Sequence, residues 1–148
     1  MGKAKSHIPE GLAAVIPQLV TKDARALIEF ATKAFGAEMQ HAMPGPDGKG
    51  IMHGFFRIGG VAVFVSDAAG FAQPTQSNLF VYVPDVDAAY ANALAAGAKP
   101  VAPVSDMFWG DRWGMVADPF GNIWQIATHK ETITPEEMQQ RMQANMKK

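Results

Sequence analysis

Hydrophobic positions along the chain switch between two periods, and the same switch occurs twice. AAVIPQLVT (13–21) is an apolar, strand-like run. From Asp23 the period lengthens, with Leu27, Phe30, Ala31, Ala34 and Phe35 at helical spacing. Asp23 suits the N-cap, where a carboxylate accepts from free first-turn amides, and Gly36 suits the left-handed position that ends a helix. Three further strands are expected at EMQHAM (38–43), IMHGFFRI (51–58) and VAVFVSD (61–67), joined by the turns GPDGKG and Gly59–Gly60. AAGFAQPTQS (68–77), broken by Gly and Pro, reads as a linker.

The order then repeats. SNLFVYV (77–83) predicts a strand, and Asp85 caps a helix carrying Tyr90, Ala91, Leu94 and Ala95 that ends at Gly97. KPVAPVSD (99–106), RWGMVAD (112–118) and IWQIATH (123–129) follow as strands, the first an edge or interrupted strand because of Pro100 and Pro103. Asp23 and Asp85 are 62 residues apart, while Gly36–Gly97 and Gly60–Gly121 are each 61 apart. Near-identical offsets across matching elements indicate a duplicated βαβββ unit.

The expected fold class is therefore α+β, with two βαβββ modules whose mixed sheet curls into a cup, plus a short C-terminal helix. The boundaries read as a flexible tail over 1–12, a first module over 13–67, a linker over 68–76, a second module over 77–130 and a helix over 134–148. In that last helix Thr134, Pro135 and Glu137 form a capping box, and Met138, Met142 and Met146 make one apolar stripe. Such a stripe is expected to seal against its own domain or a dimer mate.

Composition narrows the function classes. Of 148 residues 48% are hydrophobic and only 18% charged, a balance that hints at a buried subunit contact. A net charge of −1, with no basic run beyond Lys147–Lys148, argues against nucleic acid as a partner. Cys is absent, so thiolate metal sites and cysteine nucleophiles are excluded. No apolar stretch is long enough to cross a membrane, and the N-terminal segment lacks the apolar run of a signal peptide. Gly2 and Ser6 match the short myristoylation pattern, which chance often supplies. A cytoplasmic location is expected.

The paired βαβββ plan, together with the ADPFGNI turn, resembles the vicinal oxygen chelate superfamily of glyoxalases, bleomycin resistance proteins and extradiol dioxygenases. Within it the likeness is to the PhnB-like branch. It is carried by IPQLVTKDARALIEFATKAFGAE, LFVYVPDVDAAYANALAAGAK and FWGDRWGMVADPFGNIWQIATHKE, spanning about Val15 to Glu131. In the turn itself Pro119 presets φ, Gly121 supplies positive φ, and Asp118 and Asn122 bond nearby backbone. The resemblance implies a small-molecule ligand and a homodimer.

It also implies where a metal would sit in metal-dependent members, on the first and last strands of each module. Projected through the repeat, those positions are Ile16, Phe64, Asn78 and Gln125, none a His or a carboxylate. No cofactor and no family metal site are therefore expected. His41, His53 and His129 remain as a conceivable non-family metal site, although no HxH or HExxH spacing occurs.

Strand alternation, with Gln125 pointing into the cup, lines it with Gln18, Asn78, Phe80, Tyr82, Gln125 and His129 and turns Trp124 toward the helix. Phe108, Trp109 and Trp113 can stack on a planar ligand, and Arg112 can bind an anion or pair with Asp111 or Asp118. Arg57 is a weaker anion candidate. His53 or His129 with Asp111 are the catalytic candidates as an acid–base pair, whereas Ser66, Ser77 and Ser105 lie outside any GxSxG elbow. The expected function is small-molecule binding in a metal-free cup, for sequestration or resistance. Three alternatives stay open: a metal-dependent lyase, isomerase or dioxygenase of the glyoxalase type, a metal-free acid–base enzyme, and a structural dimer without ligand.

Overall fold

A computed structural model describes residues 2–148. Eight strands and three helices follow in the order β1 (Gln18–Thr21), α1 (Ala24–Phe35), β2 (Glu38–Met43), β3 (His53–Ile58), β4 (Val61–Asp67), β5 (Asn78–Tyr82), α2 (Val86–Ala95), β6 (Lys99–Asp106), β7 (Asp111–Ala117), β8 (Ile123–His129) and α3 (Pro135–Met146). They make two four-stranded sheets of one topology, β1-β4-β3-β2 and β5-β8-β7-β6. In each, the first strand runs parallel to the last and the other pairs are antiparallel. The fold is α+β, built on a repeated βαβββ plan. The chain divides into two compact units. The first holds residues up to Thr75 apart from Lys33–Phe35, and the second holds Lys33–Phe35 with Gln76–Lys148.

Helices α1 and α2 start on the same device. Asp23 and Asp85 accept from the amides of Ala26 and Ala88 at 3.0 and 3.1 Å, which satisfies one orphan donor in each first turn. A second donor is met from the last strand of each unit: Asp67 Oδ1 accepts from Ala24 N at 2.8 Å, and Thr128 Oγ1 from Val86 N at 2.9 Å. Gly36 ends α1 at φ 67°, the left-handed region where a Cβ would cost energy. The end of α2 differs from expectation, because Ala96 is its cap and Gly97, at φ 107°, lies one residue beyond.

Alternation puts Leu19, Phe56, Val63 and Val65 of the first sheet in the core, and α1 buries Leu27, Ile28, Phe30, Ala31 and Ala34. In the second unit Val116, Trp124 and Ile126 are at most 1% exposed, while Val86, Ala89 and Ala93 form the buried side of α2. Gly114 on β7 admits the Tyr90 ring, since a Cβ there would stand only 3.0 Å from it. Trp124 thus points inward as alternation requires.

Several local expectations are corrected. The run 13–21 forms a strand only from Gln18, so Ile16 precedes β1, where Pro17 interrupts the run. The capping box is half made: Thr134 accepts from Glu137 N, but the Glu137 carboxylate accepts from Arg141 instead of turning back. α3 has no buried residue, and Met142 and Met146 are exposed rather than sealed within the chain. β6 is an edge strand with two register shifts, as its prolines suggest.

Candidate functional site

The ADPFGN turn joins β7 and β8, the strands that carry Asp111, Arg112, Gln125 and His129. Asp118, 5% exposed, accepts from Phe120 N and Asn122 N through Oδ1. Its Oδ2 accepts from Asn122 Nδ2 and from Trp124 Nε1 at 2.8 Å. A buried carboxylate with four donors stiffens the hairpin and holds the β8 tryptophan in the core. Gly121 completes the turn at φ 89°.

From this anchor, alternation delivers Gln125 and His129 to the sheet face opposite Trp124. Registers place Gln125 between Phe80 and Met115, Ala127 between Tyr82 and Trp113, and His129 opposite Asp111. Trp113 Nε1 donates to Gln125 Oε1 at 3.2 Å, and Gln125 Nε2 donates to Asn78 Oδ1 at 3.1 Å. This fixes the orientation of the Gln125 amide. Beside it Phe80 and Tyr82 are 45% and 60% exposed, with ring centroids 5.1 Å apart. Trp109 stands edge-on to Trp113 at 6.0 Å and to Phe108 at 5.2 Å.

The most concentrated chemistry surrounds Asp111, only 2% exposed although it is charged. Tyr82 Oη and Trp109 Nε1 donate to its Oδ2 at 2.9 and 3.0 Å, while Oδ1 lies 2.8 Å from His129 Nδ1. Burial pushes the carboxyl up, but the hydrogen bonds from His129, Tyr82 and Trp109 outweigh it and hold the group below the ordinary carboxylate range. The same bond to Asp111, helped by burial, raises the Tyr82 phenol. His129 Nε2 lies 2.9 Å from Thr132 Oγ1.

Arg112 departs from both partners expected for it. It binds Asp87 through two nitrogens, at 2.8 and 3.0 Å, and Asp106 at 3.2 Å. Asp111 and its neighbour Arg112 point to opposite faces of β7, so the Asp111 pairing was geometrically closed to it. Held by two carboxylates, Arg112 has little capacity left for an anionic ligand. Hydrogen bonds from Arg112 hold Asp87 below its ordinary value.

In the first unit, Gln18 donates weakly to Ser66 Oγ at 3.4 Å and borders a hollow of about 550 Å³ walled by Pro46, Ile51, Met52 and Asp67. That hollow went unforeseen; its signal was the GPDGKG hairpin, whose residues form one side. His41 and His53 do neighbour each other across β2 and β3, with centroids 6.5 Å apart, and the His53 ring meets Phe64 edge-on at 4.8 Å. Arg57 bonds the carbonyls of Gly11 and Gly60. Among the described residues no group of three or more His, Asp or Glu side chains is placed to hold a metal ion.

Residues 12–126 match the Glyoxalase/Bleomycin resistance protein/Dioxygenase superfamily. The chain belongs to that superfamily. An uncharacterized protein of Mycobacterium bovis is 39% identical over 140 residues, covering 87% of this chain and 91% of that protein. TioX from Micromonospora sp. ML1 has a solved structure 26% identical, with TM-score 0.66 over 79% of this chain and 98% of TioX. Two more distant structures share the fold. The PhnB protein of Bacillus cereus is 16% identical, with TM-score 0.62 over 78% of this chain and 99% of its own. The fosfomycin resistance protein FosX of Listeria monocytogenes, complexed with Mn(II) and sulfate, is 19% identical, with TM-score 0.60 over 88% and 97%.

Metal-dependent members of the superfamily invite a test of the donors here. In the first unit the projected positions hold Ile16 and Phe64, which have no lone pairs to give. In the second they hold Asn78 and Gln125, whose amide oxygens already accept from Gln125 and Trp113. Two neutral amides bonded to their neighbours do not fit a divalent cation. Of the foreseen ligand residues, the structure groups Asn78, Phe80, Tyr82, Gln125 and His129 with Trp109 and Trp113 on one sheet face. Gln18 lies in the other unit and Arg112 turns away. Nothing in the sequence marks Thr132, because a threonine three residues past a strand end carries no motif.

Proposed function

We propose that this superfamily member is a cytoplasmic, homodimeric protein that binds a small planar organic molecule without a resident metal ion, in the manner of a sequestering or resistance protein. The ligand lies on the exposed face of the second sheet. Phe80, Tyr82, Trp109 and Trp113 offer stacking area, and the Asn78–Gln125 amides with the Tyr82 hydroxyl offer directional polar groups. One observation carries this reading: large aromatic rings remain exposed beside amides whose orientation is already set, so their ordering cost is met before a ligand arrives.

The test is a thermal-shift and tryptophan-quenching screen with bleomycin and a set of planar aromatic metabolites. A ligand at 100 times its Kd should stabilise the protein by about 2.7 kcal/mol. Tyr82→Ala and Gln125→Leu should each weaken binding roughly tenfold. Absence of any shift across the set, or binding unchanged in both variants, overturns the ligand assignment. Stoichiometric Zn, Ni, Fe or Mn in protein purified without chelator overturns the metal-free part, and a monomeric mass by light scattering overturns the dimer.

A further inference from the structure

We propose that His129 is a general base, presenting Nε2 to a weakly acidic proton of a conjugated small molecule, with Asp111 as its positioning residue and the Thr132 hydroxyl as a displaceable cap. The inference rests on the ligand-face reading above and adds catalysis to it. The tautomer follows from the partners. Asp111 takes hydrogen bonds from Tyr82 and Trp109 at Oδ2, leaving Oδ1 for His129. An ionised carboxylate only accepts, so the proton between Oδ1 and Nδ1 belongs to the imidazole. Neutral His129 therefore has its lone pair at Nε2, and the group 2.9 Å from that nitrogen is the Thr132 hydroxyl, which must donate.

This is the base–orienter arrangement of general-base catalysis, in which a fixed carboxylate sets the ring and supports the imidazolium once it forms. Asp111 is buried whereas the His129 side chain is 52% exposed, so a buried group holds a ring that itself meets solvent. Thr132 is exposed and lies between β8 and α3, in a segment tethered where Arg141 binds both Glu131 and Glu137. A turn of the Thr132 side chain breaks the bond it makes to Nε2. Tyr82, a proposed stacking surface, bonds the same carboxylate, which ties the ligand face to the base.

The probe reaction is the ring opening of 5-nitrobenzisoxazole, a planar carbon acid. The C–H proton passes to Nε2, its electron pair becomes the new C–N π bond, the N–O bond breaks to leave a phenolate, and the imidazolium returns the proton to water. His129→Gln should lower the rate about 100-fold, Asp111→Asn about tenfold or more, and Thr132→Val should raise it roughly threefold by uncapping the base. A rate unaffected by His129→Gln, or lowered by Thr132→Val, overturns the proposal. Nitrogen-15 NMR of the wild-type imidazole is the second readout, independent of any ligand and of variant folding. The Nδ1-protonated tautomer is expected, and an Nε2-protonated ring overturns the assignment. Loss of 5-nitrobenzisoxazole binding in Tyr82→Ala with this tautomer intact supports the shared face. Full turnover in Tyr82→Ala and Gln125→Leu would instead detach the base from the ligand face, and sink that reading without touching the tautomer.

Discussion

The two units share one topology, yet their sheet faces place different chemistry at matching positions. The registers Gly54↔Val65 and Gly114↔Ile126 align β3 with β7 and β4 with β8. Under that alignment Asp111 takes the place of Ile51, His129 of Ala68, Trp113 of His53 and Gln125 of Phe64. Tyr82 takes the place of Val20 through the parallel pairs. The first unit thus keeps apolar and ring-bearing residues where the second has an acid, a base and a phenol. Ile51 and Asp111 are both buried, at 1% and 2% exposure, but only Asp111 needs donors to stay there, and it has three.

What did not diverge is equally telling. Aspartate N-caps and a last-strand acceptor for the first helical amide recur in both units, with Asp67 and Thr128 serving as acceptors. These residues answer demands of the backbone, which are the same in any βαβββ unit. A side chain on the exposed face answers only to neighbours and ligand, so it is free to change after duplication.

The comparison is tested most severely at Trp124, whose indole fills the second core where Val63 stands in the first. Trp124→Ala should destabilise by about 4 kcal/mol in urea unfolding, through cavity formation and loss of the Asp118 bond. A cost near that of a surface residue would mean that the core assignment is wrong.

Next comes the residue that distinguishes the two faces. Asp111→Ala should cost about 2–3 kcal/mol, because three donors lose a charged acceptor. Its pH dependence has a definite sign. The unfolded carboxyl titrates near 3.9, about the ordinary aspartate value, and the folded one lies lower. The stabilisation is therefore complete above the unfolded value and is lost as pH falls through the folded one. Acid titrations of wild type and Asp111→Asn should converge at low pH; parallel curves would show that ionisation of Asp111 adds no stability.

The smallest effect probes what the units share. Asp23→Ala and Asp85→Ala should each cost about 1 kcal/mol, by matching shifts in denaturation midpoint. Unequal losses would show that the repeated caps no longer do the same work.

The duplication, both N-caps, Gly36 as helix terminator, the DPFGN turn and the inward Trp124 were all legible in the chain. Each depends on contacts a few residues apart or on strand alternation, which spacing records. The same alternation placed Asn78, Phe80, Tyr82, Gln125 and His129 on one face. Spacing carries no information on which donors a buried carboxylate collects. Asp111 gathers Tyr82 from β5, Trp109 from the loop before β7 and His129 from the end of β8, while Arg112 turns to Asp87 on α2 and Asp106 on β6. The Asp111–His129–Thr132 chain spans the two central strands of the second sheet and the loop after β8, so only the packed fold brings its atoms within hydrogen-bond reach.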